Sequence, residues 1–341
     1  MYTIIDYLKY YKNMPLKDVH WNNMDNLICA ILVYLPVPSF FENITIQEFE
    51  DLASKYKNNE TSGMMVPKAY EILKLIKNSV RYNKLNIGNF QKIKNEFTQF
   101  GACTFTIDDK TIVSYQGTDG SFIGWLENFR LAYEYPTYTQ DLAIKYLKQV
   151  MNISSNITIV GHSKGGNLAM ASAMEVPESY QYKIKYVYNF DGPGFREKEY
   201  HTEKYERLSH KLINIVPTNS VVGILLNNKN YNVVSSKEHA FHQHYPTTWN
   251  TFGECFVESN LSSISSQLHE STTKGIRELD EEQIKLTFET LFASIGKSYS
   301  SKFKITFTDL KNMINNMRDV DPKVTLYINT IIDSMIKALH D

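Results

Sequence analysis

Asn156–Met170 reads NITIVGHSKGGNLAM, and this stretch decides the fold. Ile157 to Val160 has the β-branched character of a strand and runs straight into Gly161-His162-Ser163-Lys164-Gly165. A small-residue helical run follows, with Gly166, Leu168, Ala169, Met170, Ala171 and Ala173. Strand, tight turn and helix form the context in which Gly-x-Ser-x-Gly presents a nucleophile. Such a turn strains the backbone of Ser163 and leaves no room for a side chain at Gly161 or Gly165. The strain lifts the hydroxyl clear of the sheet, and the free N–H groups at the helix start face developing negative charge. The plainer alternative is a Gly/Ser loop that happens to precede a helix, and the adjoining strand, helix and Gly165-Gly166 pair argue against it. Ser163 is the candidate nucleophile.

Outward from this stretch, the middle of the chain alternates strands with helical or loop connections. Ala102–Thr106 alternates, Asp108-Asp109-Lys110 turns, and Thr111–Tyr115 returns. A helix is expected over Asp141–Met151, and strands over Tyr186–Phe190, Lys211–Val216 and Tyr231–Val234. Connections of this length imply an α/β fold, a largely parallel sheet with both faces covered. Before Lys77 the pattern is helical: an apolar turn or two over Asn26–Val33, a capping box at Thr45-Ile46-Gln47-Glu48, and a third helix over Pro67–Ile76. After about Thr272 it is helical again. Ile284, Phe288, Leu291, Phe292 and Ile295 keep helical spacing, and Asp321-Pro322 opens a last helix with Val324, Ile328, Ile331, Met335 and Leu339 on one face. The expected organisation is a helical N-terminal segment (1–98) packed on a core (99–260), with a C-terminal helical segment (261–341).

Composition bounds the function. Of 341 residues, 43% are hydrophobic and 21% charged, enough to bury a substantial core. Lys+Arg number 36 against Asp+Glu 37, with the lysines scattered, which argues against a nucleic-acid partner. Cys29, Cys103 and Cys255 are odd in number and far apart, offering neither a disulfide framework nor metal spacing. They read as small buried hydrophobes in a reducing compartment. The N-terminus has an early Asp6 and no cationic start, and the apolar run Leu27–Phe41 is short and holds Pro36 and Pro38. A cytoplasmic protein without a transmembrane segment is therefore expected. The amphipathic last helix either docks on the core, the commoner outcome, or touches a membrane surface.

A serine nucleophile needs a base, an acid to orient that base, and donors for an oxyanion. On sheets of this kind the acid follows the nucleophile and the base comes last. His201 and His210 sit in a charged helical stretch, whereas His239, His242 and His244 follow the Tyr231–Val234 strand, where the base belongs. His244, beside the turn at Pro246, is favoured and His242 is second. Trp249, just beyond, is placed to wall off solvent. A metal site built from the three histidines is the competing reading, but their spacing matches no zinc pattern, and no metal or cofactor is expected. From Leu208 to Lys237 there is no Asp or Glu, so the loop holding Asn219 and Ser220 has no carboxylate to give. The strand before it ends in Asp191-Gly192-Pro193-Gly194, at the edge where open parallel sheets meet ligands. Asp191 is the candidate acid, with Glu238 in reserve; a plain turn aspartate is the simpler reading of Asp191. The oxyanion donors are expected to be the backbone N–H of Lys164 and that of Thr118 in Gln116-Gly117-Thr118-Asp119, with the Thr118 hydroxyl as a further donor. The Lys164 side chain is expected to face solvent.

Gln116-Gly117-Thr118-Asp119 followed by Gly124-Trp125-Leu126-Glu127-Asn128-Phe129 resembles the oxyanion segment of class 3 lipases, where aromatic-Arg-Gly-Thr/Ser precedes a Trp-containing helix. Other segments narrow the resemblance: Gly161–Gly166, Asn189–Phe195, Ser220–Leu225 and Gln243-His244, then Asp25 with its apolar run, Ser79-Val80-Arg81-Tyr82 and the helical segment near Leu291. Together they resemble the Mbeg-like family of bacterial lipase-related proteins. The resemblance implies an α/β-hydrolase fold and, through the fungal lipase relatives, hydrolysis of acylglycerol esters. Two departures stand out. The acid those lipases carry in the segment of Asn219-Ser220 is missing here, and their oxyanion-segment Arg is Gln116. The expectation is a serine hydrolase acting on a small-molecule or lipid carboxylic ester. The rival, prompted by the missing acid, is a silent relative that binds an acyl ligand or a protein.

Overall fold

Eight strands form one sheet in the order of the chain: β1 (Ile44–Thr45), β2 (Asn86–Lys94), β3 (Gln99–Ile107), β4 (Lys110–Tyr115), β5 (Ile157–His162), β6 (Ile184–Phe190), β7 (Leu212–Pro217) and β8 (Tyr231–Val234). The computed structural model describes residues 1–57, 65–95, 98–119 and 127–277, with helical residues at 281–282, 284–286, 311–312, 315, 322–326, 328–330 and 333. The first four strands pair antiparallel and β4 to β8 run parallel. This is the α/β-hydrolase-like, mostly parallel sheet that the sequence implies. It starts earlier than Phe100, however: the first 98 residues contribute β1 and β2 as well as helices. Both lie ahead of the first clear period-two run, and Gly88 with the positive-φ Asn89 (φ 46°) interrupts β2 and hides its alternation.

Parallel strands that advance steadily in one direction carry their crossover helices to one face. Here α5 (Tyr138–Met151), α6 (Lys164–Met174) and α7 (Glu203–Ser209) pack with Val113, Ile157, Ile159 and Val187 in one core. The opposite face needs another cover, and the N-terminal helices supply it. These are α1 (Ile4–Tyr11), α2 (Asn23–Leu32), α3 (Ile46–Lys55) and α4 (Met65–Ile76), packed with Ile112, Val160, Phe190 and Ile215 in a second core. Every residue from Leu27 to Leu32 is fully buried, which is why α2 is apolar all round rather than striped. Each buried Leu or Ile there stabilises the fold by about 1.5–3 kcal/mol. Thr45 caps α3 through the capping box with Glu48, as its spelling predicts.

Two segments that carry the family resemblance outside the sheet meet in this second core. Arg81 Nη2 lies 2.6 Å from Asp25 Oδ2 and its Nε 2.9 Å from Oδ1. Tyr82 Oη donates to Asp25 Oδ1 at 2.6 Å, and Asn22 N–H to Oδ2 at 2.8 Å. Both charged side chains are wholly buried. The carboxylate thus closes the start of α2 and fastens it to the turn after α4.

Toward the C-terminus, α8 (Ser263–Arg277) begins well before Thr272. Ile284, Val324 and Ile328 are buried. Phe288, Leu291, Phe292, Ile295, Ile331, Met335 and Leu339 lie outside the described residues, as do Gly124, Trp125 and Leu126. Among the described residues no helix is long and apolar enough to cross a membrane. Cys29 and Cys103 are buried as expected, but Cys255 is exposed, because the short hairpin Thr251–Phe252/Cys255–Phe256 turns it outward.

Candidate active site

The register of the sheet gathers the candidate residues. Tyr115 pairs with Gly161, His162 with Phe190, Phe190 with Ile215, and Pro217 with Val234. The strands therefore end level. The loops that leave this edge begin with Gln116, Ser163, Asp191, Thr218 and Ser235, so all the singled-out motifs emerge side by side.

Ser163 sits between β5 and α6 with φ 58° and ψ −131°, a conformation that costs a non-glycine residue on the order of 1–3 kcal/mol. Its N–H donates to Phe190 O at 2.9 Å, and its carbonyl accepts from Gly166 N–H at 2.8 Å, so both sides of the turn are pinned. The flanking glycines are needed for space. A Cβ on Gly161 would fall 2.0 Å from Gly165 O, and one on Gly165 would fall 2.2 Å from Tyr115 O. The whole of α6 is buried, which its small residues permit.

Asp191 also has positive φ, 52°, at the end of β6. The buried Asn189 amide holds that turn, accepting from Gly192 N–H and donating to Gly192 O, each at 2.8 Å. Asp191 Oδ2 lies 2.7 Å from His244 Nδ1, while Oδ1 accepts from Ser220 Oγ at 2.5 Å and from Gly223 N–H at 3.1 Å. Of the three late histidines, His244 is the buried one and His239 and His242 are exposed. Glu238 is half-buried, and its carbonyl, not its carboxylate, meets Gln243 Nε2.

The loop bearing His244 is fixed from several sides. Trp249, fully buried, donates its indole N–H to Gln243 O at 2.7 Å, and Gln243 Oε1 accepts from Asn219 N–H at 2.9 Å. His244 O lies 2.8 Å from His162 Nε2, and the two rings are 4.7 Å apart between centroids. A carbonyl only accepts, so His162 carries its proton on Nε2 and its Nδ1 accepts from Tyr34 Oη at 3.0 Å. Tyr34 Oη in turn accepts from Gly117 N–H at 3.1 Å. Burial, followed by the nearby His244, holds His162 well below the usual histidine range, so it stays neutral. Loop 116–119, the Ser163 turn and the His244 loop are thereby tied in one directed chain of hydrogen bonds.

Gly117 lies directly against Ser163: a Cβ there would come within 2.1 Å of Tyr34 Oη and 3.2 Å of Ser163 Cβ. The Thr118 hydroxyl is engaged by Asn128, whose Nδ2 donates to it at 3.0 Å. The Lys164 side chain does not face solvent as its sequence position suggests. It is buried, with Nζ 2.5 Å from Glu127 Oε2, 2.6 Å from Gln99 O and 2.9 Å from Gln99 Oε1. A buried carboxylate waiting at Glu127 draws the ammonium inward; burial lowers the lysine's pKa and Glu127 pushes it back up.

Sequence reasoning misses Tyr34, Gln99, Glu127 and the roles of His162 and Ser220. Ser220 and Gly223, three apart after β7, are the one local signal that a carboxylate is received there. Tyr34 meets His162 and Gln99 meets Lys164 across more than 60 residues of sequence, which leaves no local mark.

No curated protein matches the chain. Among solved structures it is similar to an M37 lipase (14% identity, 59% of this chain and 69% of that one, TM-score 0.38). It is also similar to a lipase from Rhizopus microsporus var. chinensis (14%, 68% and 87%, 0.37). A third is the extracellular lipase LipA from Serratia marcescens (15%, 60% and 40%, 0.33). The Mbeg1-like family model matches residues 76–293, more than half of the chain, and the chain belongs to that family.

Proposed function

We propose that this protein is a serine hydrolase that cleaves a carboxylic ester. Ser163 attacks the carbonyl, and His244 takes its proton and returns it to the leaving alkoxide. Asp191 holds the imidazole so that Nε2 is the basic nitrogen. The backbone N–H groups of Thr118 and Lys164 receive the oxyanion, and no metal or cofactor takes part. The observation that carries the reading is the 2.7 Å contact of His244 Nδ1 with Asp191, on a loop bonded to the turn that holds Ser163 in positive φ. The silent-relative reading draws on the lack of a carboxylate at Asn219-Ser220. With Asp191 in contact with the imidazole, that motive falls away. Substrate is a small-molecule or lipid ester, and the exposed thiol of Cys255 fits a reducing, cytoplasmic setting.

A fluorophosphonate probe tests the reading. Wild type is expected to be labelled and to hydrolyse p-nitrophenyl esters, and Ser163→Ala to do neither. Folded wild type that resists the probe and every acyl chain length would sink it.

A further inference from the structure

The carbonyl of Gly117 and the N–H of Thr118 belong to one peptide unit, and a trans peptide points them in opposite directions. Whatever grips that carbonyl also aims that N–H. Gln99, at the start of β3, has its Nε2 3.3 Å from Gly117 O and its Oε1 2.9 Å from Lys164 Nζ. Chemistry fixes the orientation of this amide. An ammonium only donates, so the oxygen faces Lys164 and the NH2 faces the Gly117 carbonyl.

The ammonium is itself immobilised by Gln99 O and Glu127 Oε2. Glu127 is filled on its other oxygen by Thr98 Oγ1 at 2.5 Å and Gln99 N–H at 3.3 Å. Lys164, Glu127 and Gln99 are 1%, 2% and 3% exposed, so water does not compete for these contacts. On the opposite side of Gly117, Tyr34 Oη takes the N–H. The loop is thus held at both ends of one residue.

We propose that Gln99 is a positioning residue of the oxyanion site: oriented by the Lys164 ammonium, it holds the Gly117–Thr118 peptide so that the Thr118 N–H is aimed at the substrate oxygen. The inference rests on the hydrolase reading above. Lys164 then serves both donors, one through its own main chain and the other through its side chain, Gln99 and Gly117. Stability alone accounts poorly for a charge pair in this place, because desolvation of buried ions commonly cancels their attraction. Orientation of a donor beside the nucleophile gives the pair a purpose, since aimed dipoles act most strongly where water is excluded.

Two variants test it. Gln99→Met keeps the length of the side chain and removes the amide. Gln99→Glu keeps an acceptor for Lys164 but turns the group facing Gly117 O from donor to acceptor. Both are compared with wild type and Ser163→Ala for kcat and KM on p-nitrophenyl esters and for the rate of fluorophosphonate labelling, with folding checked by thermal unfolding. The expected result is a kcat about 10- to 100-fold lower with KM within about twofold, because an oxyanion donor acts on the transition state and not on bound substrate. Labelling slows in step. If Gln99→Met does not fold, Gln99→Glu decides. A folded variant with wild-type kcat, or one that loses only in KM, overturns the proposal while leaving the hydrolase reading intact. An inert wild type removes both.

Discussion

The carboxylate of Asp191 reaches His244 Nδ1 at 2.7 Å from the end of β6, one strand before the loop that holds Asn219 and Ser220. The loop after β7 takes part as a donor: Ser220 Oγ and Gly223 N–H donate to Asp191 Oδ1. A loop without a carboxylate of its own thus solvates one from the neighbouring strand. One oxygen of Asp191 is committed to these donors, and the other is left for the imidazole.

Replacing Asp191 with Asn separates this reading from its rivals. The amide keeps the shape but presents a donor or a neutral acceptor to Nδ1, so the imidazole loses both its tautomer control and the charge that stabilises its protonated form. By the behaviour of comparable triads, kcat falls about 10³- to 10⁴-fold. Glu238→Gln and His242→Ala are expected to stay within about twofold of wild type. A large loss from Glu238→Gln, with Asp191→Asn unaffected, would transfer the role to Glu238.

Tyr34 offers a test of the tie between segments. Its hydroxyl receives Gly117 N–H and donates to His162 Nδ1, and Tyr34→Phe strands both buried groups. Each unsatisfied group costs about 1–3 kcal/mol, so urea unfolding should show a loss of a few kcal/mol. Turnover should fall at constant KM, because the freed loop carries the proposed oxyanion donor. A Tyr34→Phe protein as stable as wild type would mean that water takes both contacts.

How far the sequence spoke depends on the range of each interaction. The strand–turn–helix at Ser163 is legible because strand, Gly-x-Ser-x-Gly and helix lie in fifteen consecutive residues. Asp191 is reached as the candidate acid by elimination, since the stretch Leu208–Lys237 has no carboxylate to offer, and the fold then sets it against His244. The buried place of the Lys164 side chain is not legible in the sequence, because a lysine after such a turn is normally solvated and only the fold brings Glu127 beneath it. Strand β2 was missed for a local reason, the irregularity at Gly88–Gln91. Tyr34 lies just past a helix whose apolar run reads as packing alone, and its hydroxyl acquires a purpose only when β5 ends beside it.

The Arg81–Asp25 pair lies away from the nucleophile and should report on stability. Arg81→Met leaves the Asp25 carboxylate buried with only Tyr82, Asn22 and a distant Tyr7 as donors. Removing one partner of such a pair costs about 3–5 kcal/mol. The double variant Asp25→Asn with Arg81→Met should recover part of that loss, because no buried charge remains. A single variant that unfolds at the wild-type urea midpoint would show that the pair contributes nothing net.

His162 makes the pH dependence specific. Free histidine in the unfolded chain takes up a proton near pH 6.5, whereas burial keeps His162 neutral well below that. Below about pH 6.5 the unfolded state therefore binds the extra proton, and stability falls as pH falls. One such proton contributes at most about 1.4 kcal/mol per pH unit, with no contribution above the unfolded pKa. His162→Gln supplies a donor and an acceptor that do not titrate. The difference in unfolding free energy between wild type and this variant should thus stay level above about pH 7 and shrink from about pH 6.5 to pH 5, with His244 common to both. Parallel stability curves over that range would mean that His162 protonates in the folded protein, and the Tyr34 Oη–H···Nδ1 bond would then have to be reversed, with Nδ1–H donating to Tyr34.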